Sequence, residues 1–325
     1  MATSHGVVVC GEALIDLVPV SARSPGDGPI YRAVCGGSPF NVAIGLGRLG
    51  QPTWFLGRLS RDGNGRLLAQ RLAQSGVSLD CVVSGAAPTT LACVFPPQPG
   101  RADVDYAFYV AGTSGAEFLA EDFPLVPPAG ASVLHFGSFA ALMPGSGGLI
   151  RDFARQSRLL VSYDPNIRPS LTPDLAQMRA DAAACMAIAD LVKLSDADAA
   201  WLYPGMPHDQ MARSILQRGV RLVALTCGAD GAILWTDRHR VAVPAPPVAV
   251  VDTVGAGDSF MATLLWALGN ADALTQDGLG ETAEAALFEI ASLACRSASM
   301  VCGRQGADPP FVAELVRPIS LSSSY

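Results

Sequence analysis

The sequence predicts an α/β fold: a doubly wound, mostly parallel sheet with a second, small β-sheet standing apart. Three patterns predict it. Short apolar runs recur along the chain, as expected of strands buried on both faces. Helical stretches separate most of them, which is the alternation that builds parallel sheets. Between residues 80 and 110 the alternation breaks, and strand-forming residues gather around a proline-rich turn instead.

Gly6-Val7-Val8-Val9-Cys10-Gly11 is the first buried-strand run. Ser38 before Pro39 reads as an N-cap with proline at the first helical position, and that helix continues to Leu49. Residues 53–57 form a second buried strand. A helix covers 62–74, with Leu67, Leu68 and Leu72 on one face, and Gly76 stops it. Residues 89–95 and 105–110 read as a hairpin around Pro96-Pro97-Gln98-Pro99-Gly100. The stretches 16–20 and 29–35 are expected to join it in the small sheet. From 132 the alternation resumes, with strands at 132–136, 159–163, 190–194 and 221–225 and helices at 146–157, 174–188 and 207–218. Residues 231–235 and 239–243 read as an antiparallel edge hairpin. Two long helices, 257–268 and 281–300, close the chain. The expected division is a main domain of 1–15, 36–88 and 111–325, and a small sheet of 16–35 and 89–110.

The chain has 325 residues, 50% hydrophobic and 16% charged, enough for a large core and too apolar for whole-chain disorder. Its net charge is −7 and it has no Lys/Arg run, so nucleic acid is not an expected partner. Uninterrupted apolar stretches fall short of the ~18 residues of a membrane span. The first five residues lack the basic-then-apolar pattern of a secretory leader. Cysteines 10, 35, 81, 93, 185, 227, 295 and 302 show no Cys-x-x-Cys spacing. That argues against zinc and for a reduced, cytoplasmic setting. Lys193 is the sole lysine among 22 basic residues. GC-rich coding accounts for the arginine excess, yet any task needing an ammonium has this one candidate.

The chemistry-bearing stretch is Val251-Asp252-Thr253-Val254-Gly255-Ala256-Gly257-Asp258-Ser259-Phe260, where an extended piece ends in small residues and an apolar helix follows. Backbone N–H groups there can meet an anion closely, aided by the helix dipole. Asp258 then either caps the helix or accepts a proton beside that nest. Gly36-Gly37 leaves backbone open to a ligand, and Asn41 offers a donor and an acceptor in the first helical turn. Asp16, read as lying in the loop past the first strand, can hold two neighbouring hydroxyls. Asp164-Pro165-Asn166-Ile167-Arg168 follows a strand at the edge where α/β sheets bind ligands, and Arg168 suits phosphate. Gly45, Gly47 and Gly50 match G-x-G-x-x-G but sit at a helix end, so the dinucleotide fingerprint fails. No P-loop and no protein-kinase signature occurs, and His5, His135, His208 and His239 lie in no triad-like setting.

Together, Gly36-Gly37-Ser38-Pro39-Phe40-Asn41-Val42-Ala43 through Gly50 and Asp252-Thr253-Val254-Gly255-Ala256-Gly257-Asp258 resemble the two signatures of the ribokinase-like (pfkB) family of carbohydrate kinases. The resemblance runs from about Val7 to Phe311. It implies a Rossmann-like α/β domain with a small β-sheet lid, and ATP, Mg2+ and K+ as cofactors. It implies Asp258 as the base and the N–H groups of Gly255, Ala256 and Gly257 as an anion hole. Asp16, Gly36, Gly37 and Asn41 would hold the sugar, with Arg168 near the sugar or the phosphoryl group. Thr226-Cys227-Gly228-Ala229-Asp230-Gly231 matches the family's nucleotide loop, through Thr226, Gly228 and Gly231. Asp252, with backbone carbonyls at Val254, Val301 and Gly306, matches its monovalent-cation site. Where the family often has Asn-x-x-Glu, this chain has Lys193-Leu194-Ser195-Asp196, so Lys193 would meet ATP phosphates and Asp196 a magnesium-bound water.

Within the family, Gly-Gly-Ser-Pro-Phe-Asn resembles the fructokinase branch, so the expected acceptor is a primary hydroxyl of fructose. The alternatives are 2-keto-3-deoxygluconate, ribose and aminoimidazole riboside. An acidic sugar would want an added cation, for which Arg32 and Arg168 are the candidates. The intact Asp258 and glycines weigh against a non-catalytic regulatory member. Glu12-Ala13-Leu14 after Gly11, with no glycine fingerprint, weighs against a nicotinamide oxidoreductase. Exposed edges of the small sheet point to a homodimer through the lid.

Overall fold

The computed structural model describes residues 5–20, 30–95, 105–171 and 174–316. The proline-rich turn at 96–100 and the leader-free N-terminus expected above fall outside them, in whole and in large part respectively.

The chain opens with β1 (Gly6–Cys10), β2 (Leu14–Val20) and β3 (Ile30–Gly36), then α1 (Ser38–Arg48), β4 (Thr53–Ser60), α2 (Gly63–Gln74) and β5 (Val82–Gly85). β6 (Thr90–Phe95) and β7 (Asp105–Tyr109) follow. Next come β8 (Ala131–Gly137), α3 (Ser138–Leu142), α4 (Ser146–Ser157), β9 (Leu160–Asp164), α5 (Leu175–Met186), β10 (Leu191–Ser195), α6 (Asp196–Leu202), α7 (His208–Leu216) and β11 (Leu222–Thr226). The hairpin β12 (Ala232–Trp235) and β13 (Arg240–Val243) leads to α8 (Ala256–Asn270), α9 (Gln276–Glu281), α10 (Glu284–Cys302) and α11 (Val312–Leu315).

The large sheet has nine strands in the order β13-β12-β11-β10-β9-β8-β1-β4-β5. It is parallel from β5 to β11, and β12 and β13 run antiparallel at the edge. Every residue of β1 is buried. Val7 and Val9 join the core under α1, α8 and α10, while Val8 and Cys10 join the one under α4, α5 and α7. A strand that feeds two cores needs apolar residues at consecutive positions, which is why its run does not alternate. Strand order reverses at β1, whose neighbours are β4 and β8. In such sheets the crevice at that reversal, beyond the strand C-termini, is where ligands sit.

The small sheet has the order β3-β2-β6-β7. β2 and β6 pair in parallel, and both outer pairs are antiparallel. The four stretches expected to form it do so. Leu14, Ala92, Val110 and Phe139 make a separate apolar cluster that joins this sheet to α3. α10 is long and apolar enough, by length and composition, to cross a membrane. Here Leu287, Ile290, Ala291, Ala294, Cys295 and Val301 pack it along one face, against α8 and the edge hairpin.

Candidate active site

The site assembles where α8 begins. Gly255 N-caps the helix at φ +79°, and no side chain caps it. A Cβ at Gly255 would lie 2.5 Å from the Ala307 methyl, so space as well as φ demands glycine. First-turn N–H groups have no acceptor within the helix, and the dipole is positive there. This end of α8 can therefore hold an anion.

Asp258 does not cap α8. Its Oδ1 accepts from Ser38 Oγ at 2.6 Å, and its Oδ2 from Asn41 Nδ2 at 2.8 Å. Both donors sit in the first turn of α1. The expected role of Ser38 is thereby corrected: the N-cap is Gly37, at φ +106°, and Ser38 is already helical. Its hydroxyl is spent on Asp258 rather than on its own helix. Burial raises the Asp258 pKa, opposed by the Ser38 and Asn41 hydrogen bonds and by the charges of Lys193 and Arg168.

Asp16 lies within β2 rather than in a loop past β1. A Cβ at Gly36 would come 2.1 Å from Asp16 Oδ2, so the carboxylate rests directly on that glycine. Burial lifts the Asp16 pKa to about 6, with Arg168 pulling down and Asp258 and Asp252 pushing up. Asp16, Gly36, Gly37, Asn41 and Asp258 are thus brought into one place. Arg168 is exposed, donates to the Ile167 carbonyl at 3.1 Å, and acts electrostatically on Glu12, Asp16 and Asp258.

Lys193 is buried on β10, and its Nζ donates to Asp164 Oδ2 at 2.8 Å. A Cβ at Gly257 would meet Nζ at 2.9 Å, so the ammonium lies against the first turn of α8. Burial works against its charge, but Asp164, Asp198 and Asp258 outweigh that and raise its pKa. Burial also raises Asp164 to about 6, with Lys193 opposing. Among the described residues, Oδ1 of Asp164 is buried without a hydrogen-bond partner.

Asp196 does not join this cluster. It is exposed, and its Oδ1 accepts from the Ala197 N–H at 2.8 Å. The cause is the helix start. Ser195 N-caps α6, Asp196 is the first helical residue and faces water, and Asp198 turns back in a capping box. Asp198 Oδ2 accepts from the Ser195 N–H and hydroxyl, and Oδ1 from the Ile167 N–H at 2.7 Å. It therefore pins the turn that carries Asp164 and Arg168. Sequence reasoning missed Asp198 because acids at helix starts are common. It also missed Glu12, a buried carboxyl just past β1 that accepts from the Ala140 N–H and is bonded to Ser138. Burial lifts Glu12 to about 7. The available signal was an acid directly after an all-apolar strand.

Thr226, Gly228 and Gly231 sit on the same edge, one strand beyond Lys193. The Cys227 N–H donates to the Gly231 carbonyl at 2.8 Å and folds the loop back. Space beside Gly228 is open. Asp252 accepts from the Val254 N–H at 3.0 Å and from the Gly306 N–H at 2.9 Å, one per oxygen. Asp252 thus meets Val254 and Gly306 through their N–H groups rather than through the carbonyls expected of a cation site. The fourth expected residue, Val301, uses its carbonyl to close the end of α10, accepting from the Arg304 N–H at 2.9 Å.

Comparison with known proteins agrees with this geometry. The model of the pfkB family of carbohydrate kinases matches residues 4–313. A fructokinase of Rhizobium leguminosarum bv. trifolii is 36% identical over 285 residues, covering 86% of this chain and 85% of that protein. A probable fructokinase-4 of Arabidopsis thaliana is 32% identical, covering 97% of each. The fold matches the crystal structure of a fructokinase with bound ATP from Xylella fastidiosa at TM-score 0.83 and 24% identity, over 96% of this chain and 98% of that one. It also matches aminoimidazole riboside kinase from Salmonella enterica, with TM-score 0.78 and 26% identity over 96% and 98%. The family model spans both the glycine pair before α1 and the start of α8, so the chain belongs to the pfkB family of carbohydrate kinases.

Proposed function

We propose that this chain is an ATP-dependent fructokinase, transferring the γ-phosphoryl group of ATP to a primary hydroxyl of fructose. One observation carries the reading. A carboxylate held at both oxygens by Ser38 and Asn41 lies in the first turn of an uncapped helix, with a buried ammonium against the same turn. The relatives named as fructokinases support fructose as the acceptor.

Asp16, Gly36, Gly37 and Asn41 hold the sugar, with Arg168 at its side. Asp258 takes the proton of the primary hydroxyl, and that oxygen forms its bond to the γ-phosphorus as the bond to the ADP oxygen breaks. The N–H groups of Gly255, Ala256 and Gly257 and the Lys193 ammonium hold the charge that develops. Thr226, Gly228 and Gly231 border the nucleotide. Magnesium, bound with ATP, screens phosphate charge. Asp196, solvent-facing at the start of α6, and the buried Oδ1 of Asp164 are the two acids that would accept from magnesium-bound water. K+ would fall near Asp252, whose two oxygens here accept from the Val254 and Gly306 N–H groups.

A coupled assay with ATP, magnesium and potassium tests the reading across fructose, ribose, 2-keto-3-deoxygluconate and aminoimidazole riboside. Turnover on fructose is expected. Turnover on another acceptor alone would overturn the substrate and keep the chemistry.

The pH profile follows from Asp16, which burial raises to about 6. It is ionised above that value and accepts sugar hydroxyls only then. kcat/KM for the sugar is expected to fall about tenfold per unit below pH 6. Because Arg168 holds the Asp16 pKa down, Arg168→Ala should move the break upward. A break unmoved by Arg168→Ala counts against this placement of Asp16.

We also read the protein as a homodimer through the small sheet. The face opposite Asp16 carries Phe95 and Tyr109, 38% and 58% exposed. Light scattering should give twice the chain mass, and Tyr109→Asp should halve it. A monomer at micromolar concentration removes this reading. A cytoplasmic location is supported by eight free cysteines, and cell fractionation tests it.

A further inference from the structure

One short segment beyond α10 touches both Asp252 and Gly255, just before α8. Gln305 Oε1 accepts from Arg32 Nη1 on β3 at 2.9 Å. The Gly306 N–H donates to Asp252 at 2.9 Å. Ala307 packs against Gly255 so closely that no Cβ fits between them. Asp308 is held by three guanidinium groups. Its Oδ1 accepts from Arg48 at 2.7 Å and Arg71 at 3.3 Å. Arg304 donates to its carbonyl at 3.1 Å and to Oδ2 at 3.5 Å.

The three arginines come from three elements. Arg48 ends α1, Arg71 lies in the last turn of α2, and Arg304 follows α10. The Arg48 side chain is 5% exposed, stacks 4.8 Å from the Phe311 ring centroid, and also holds the Pro309 carbonyl. Arg304 reaches Glu314 at 2.6 Å as well. Asp308 is 41% exposed and Arg71 36%, so solvent screens the attraction and the cluster adds little stability. Its forked, charge-assisted hydrogen bonds do fix direction. α1 joins this cluster to the chemistry. Its first turn holds Asp258, and its last residue, about 15 Å along the axis, holds Asp308.

We propose that Asp308 is a positioning residue for phosphoryl transfer. Held by Arg48, Arg71 and Arg304, it fixes the segment 305–308, and through that segment the Gly255 corner of the anion nest and the Asp252 carboxylate. The proposal rests on the reading of the α8 N-terminus as the place of phosphoryl transfer. Misplacement by about 1 Å can cost about 100-fold in rate, which sets the scale.

The test compares Asp308→Asn and Asp308→Glu in the full chain. Asp308→Asn is expected to lower kcat roughly 10- to 100-fold with KM for fructose within about twofold of the parent. Asp308→Glu, which keeps the charge, should recover most of that loss. Amide hydrogen exchange of the ligand-free protein reads the same claim without turnover. In Asp308→Asn, residues 252–258 should exchange faster while β9 and β10 stay unchanged. Unchanged exchange at 252–258 overturns the proposal. So does acceleration throughout the chain with a matching fall in melting temperature, which marks a role in stability alone. If the parent turns over no sugar, the kinase reading falls, and the exchange comparison still decides the positioning claim.

Discussion

Asp258→Asn should lower kcat about 1,000-fold while ATP affinity stays within a factor of a few. The substitution is nearly isosteric, and its amide suits the donors already present. Ser38 Oγ and Asn41 Nδ2 approach opposite oxygens of Asp258. An asparagine can turn its carbonyl toward Asn41 and its amide toward the Ser38 hydroxyl, which can rotate to accept. The fold and the nest therefore survive, and only the proton acceptor is lost. Steady-state kinetics and calorimetric titration with ATP check this. Retention of more than about a tenth of the turnover would remove Asp258 from the role of base.

Lys193→Met should cost about 3–5 kcal/mol, the usual price of stranding one member of a buried ion pair. Lys193 and Asp164 side chains are 4% and 1% exposed, so water does not screen the loss. That corresponds to a fall of roughly 4–7 °C in Tm for a chain of 325 residues. The loss should depend on pH. Asp164 is held up at about 6 even beside Lys193, and without the ammonium it titrates higher still. A carboxyl whose pKa is raised in the folded state favours folding at low pH. The deficit should therefore be full above the pKa that Asp164 takes without its partner, narrow as pH falls from there to about 6, and stay level below that, where Asp164 is protonated in both folded proteins. Turnover should also fall about 100-fold, because the ammonium no longer faces Gly257. Adding Asp164→Asn should restore most of the stability and none of the activity. Equal deficits at pH 5 and pH 8 would show that Asp164 is not the stranded charge.

Much of this architecture was legible because long elements carry their own punctuation. α2 runs from an aspartate cap to Gly76, and α8 follows a small-residue turn into unbroken apolar sequence. α3, α6, α9, α11 and β5 went unread. They span one or two turns or four residues, too short for periodicity to accumulate. The site divided along a similar line. Glycines and Asp258 were visible, since few residue types suit a close backbone approach. Asp198, Glu12 and the pairing of Lys193 with Asp164 were not. Their meaning depends on which strand lies next to which, and β9 and β10 become neighbours only in the folded sheet. The reading of Ser38 shows the limit of local rules. It satisfies every criterion for an N-cap, and a partner 220 residues away claims its hydroxyl instead.

β3 ends at Gly36 and α1 begins at Ser38, so a single residue, Gly37, separates the small sheet from the helix that holds Asp258. Two peptide links span at most roughly 7 Å. β2, which carries Asp16, is hydrogen-bonded along its length to β3. The carboxylate that would hold the sugar and the one that would take its proton therefore sit on either side of a link too short to let them drift apart.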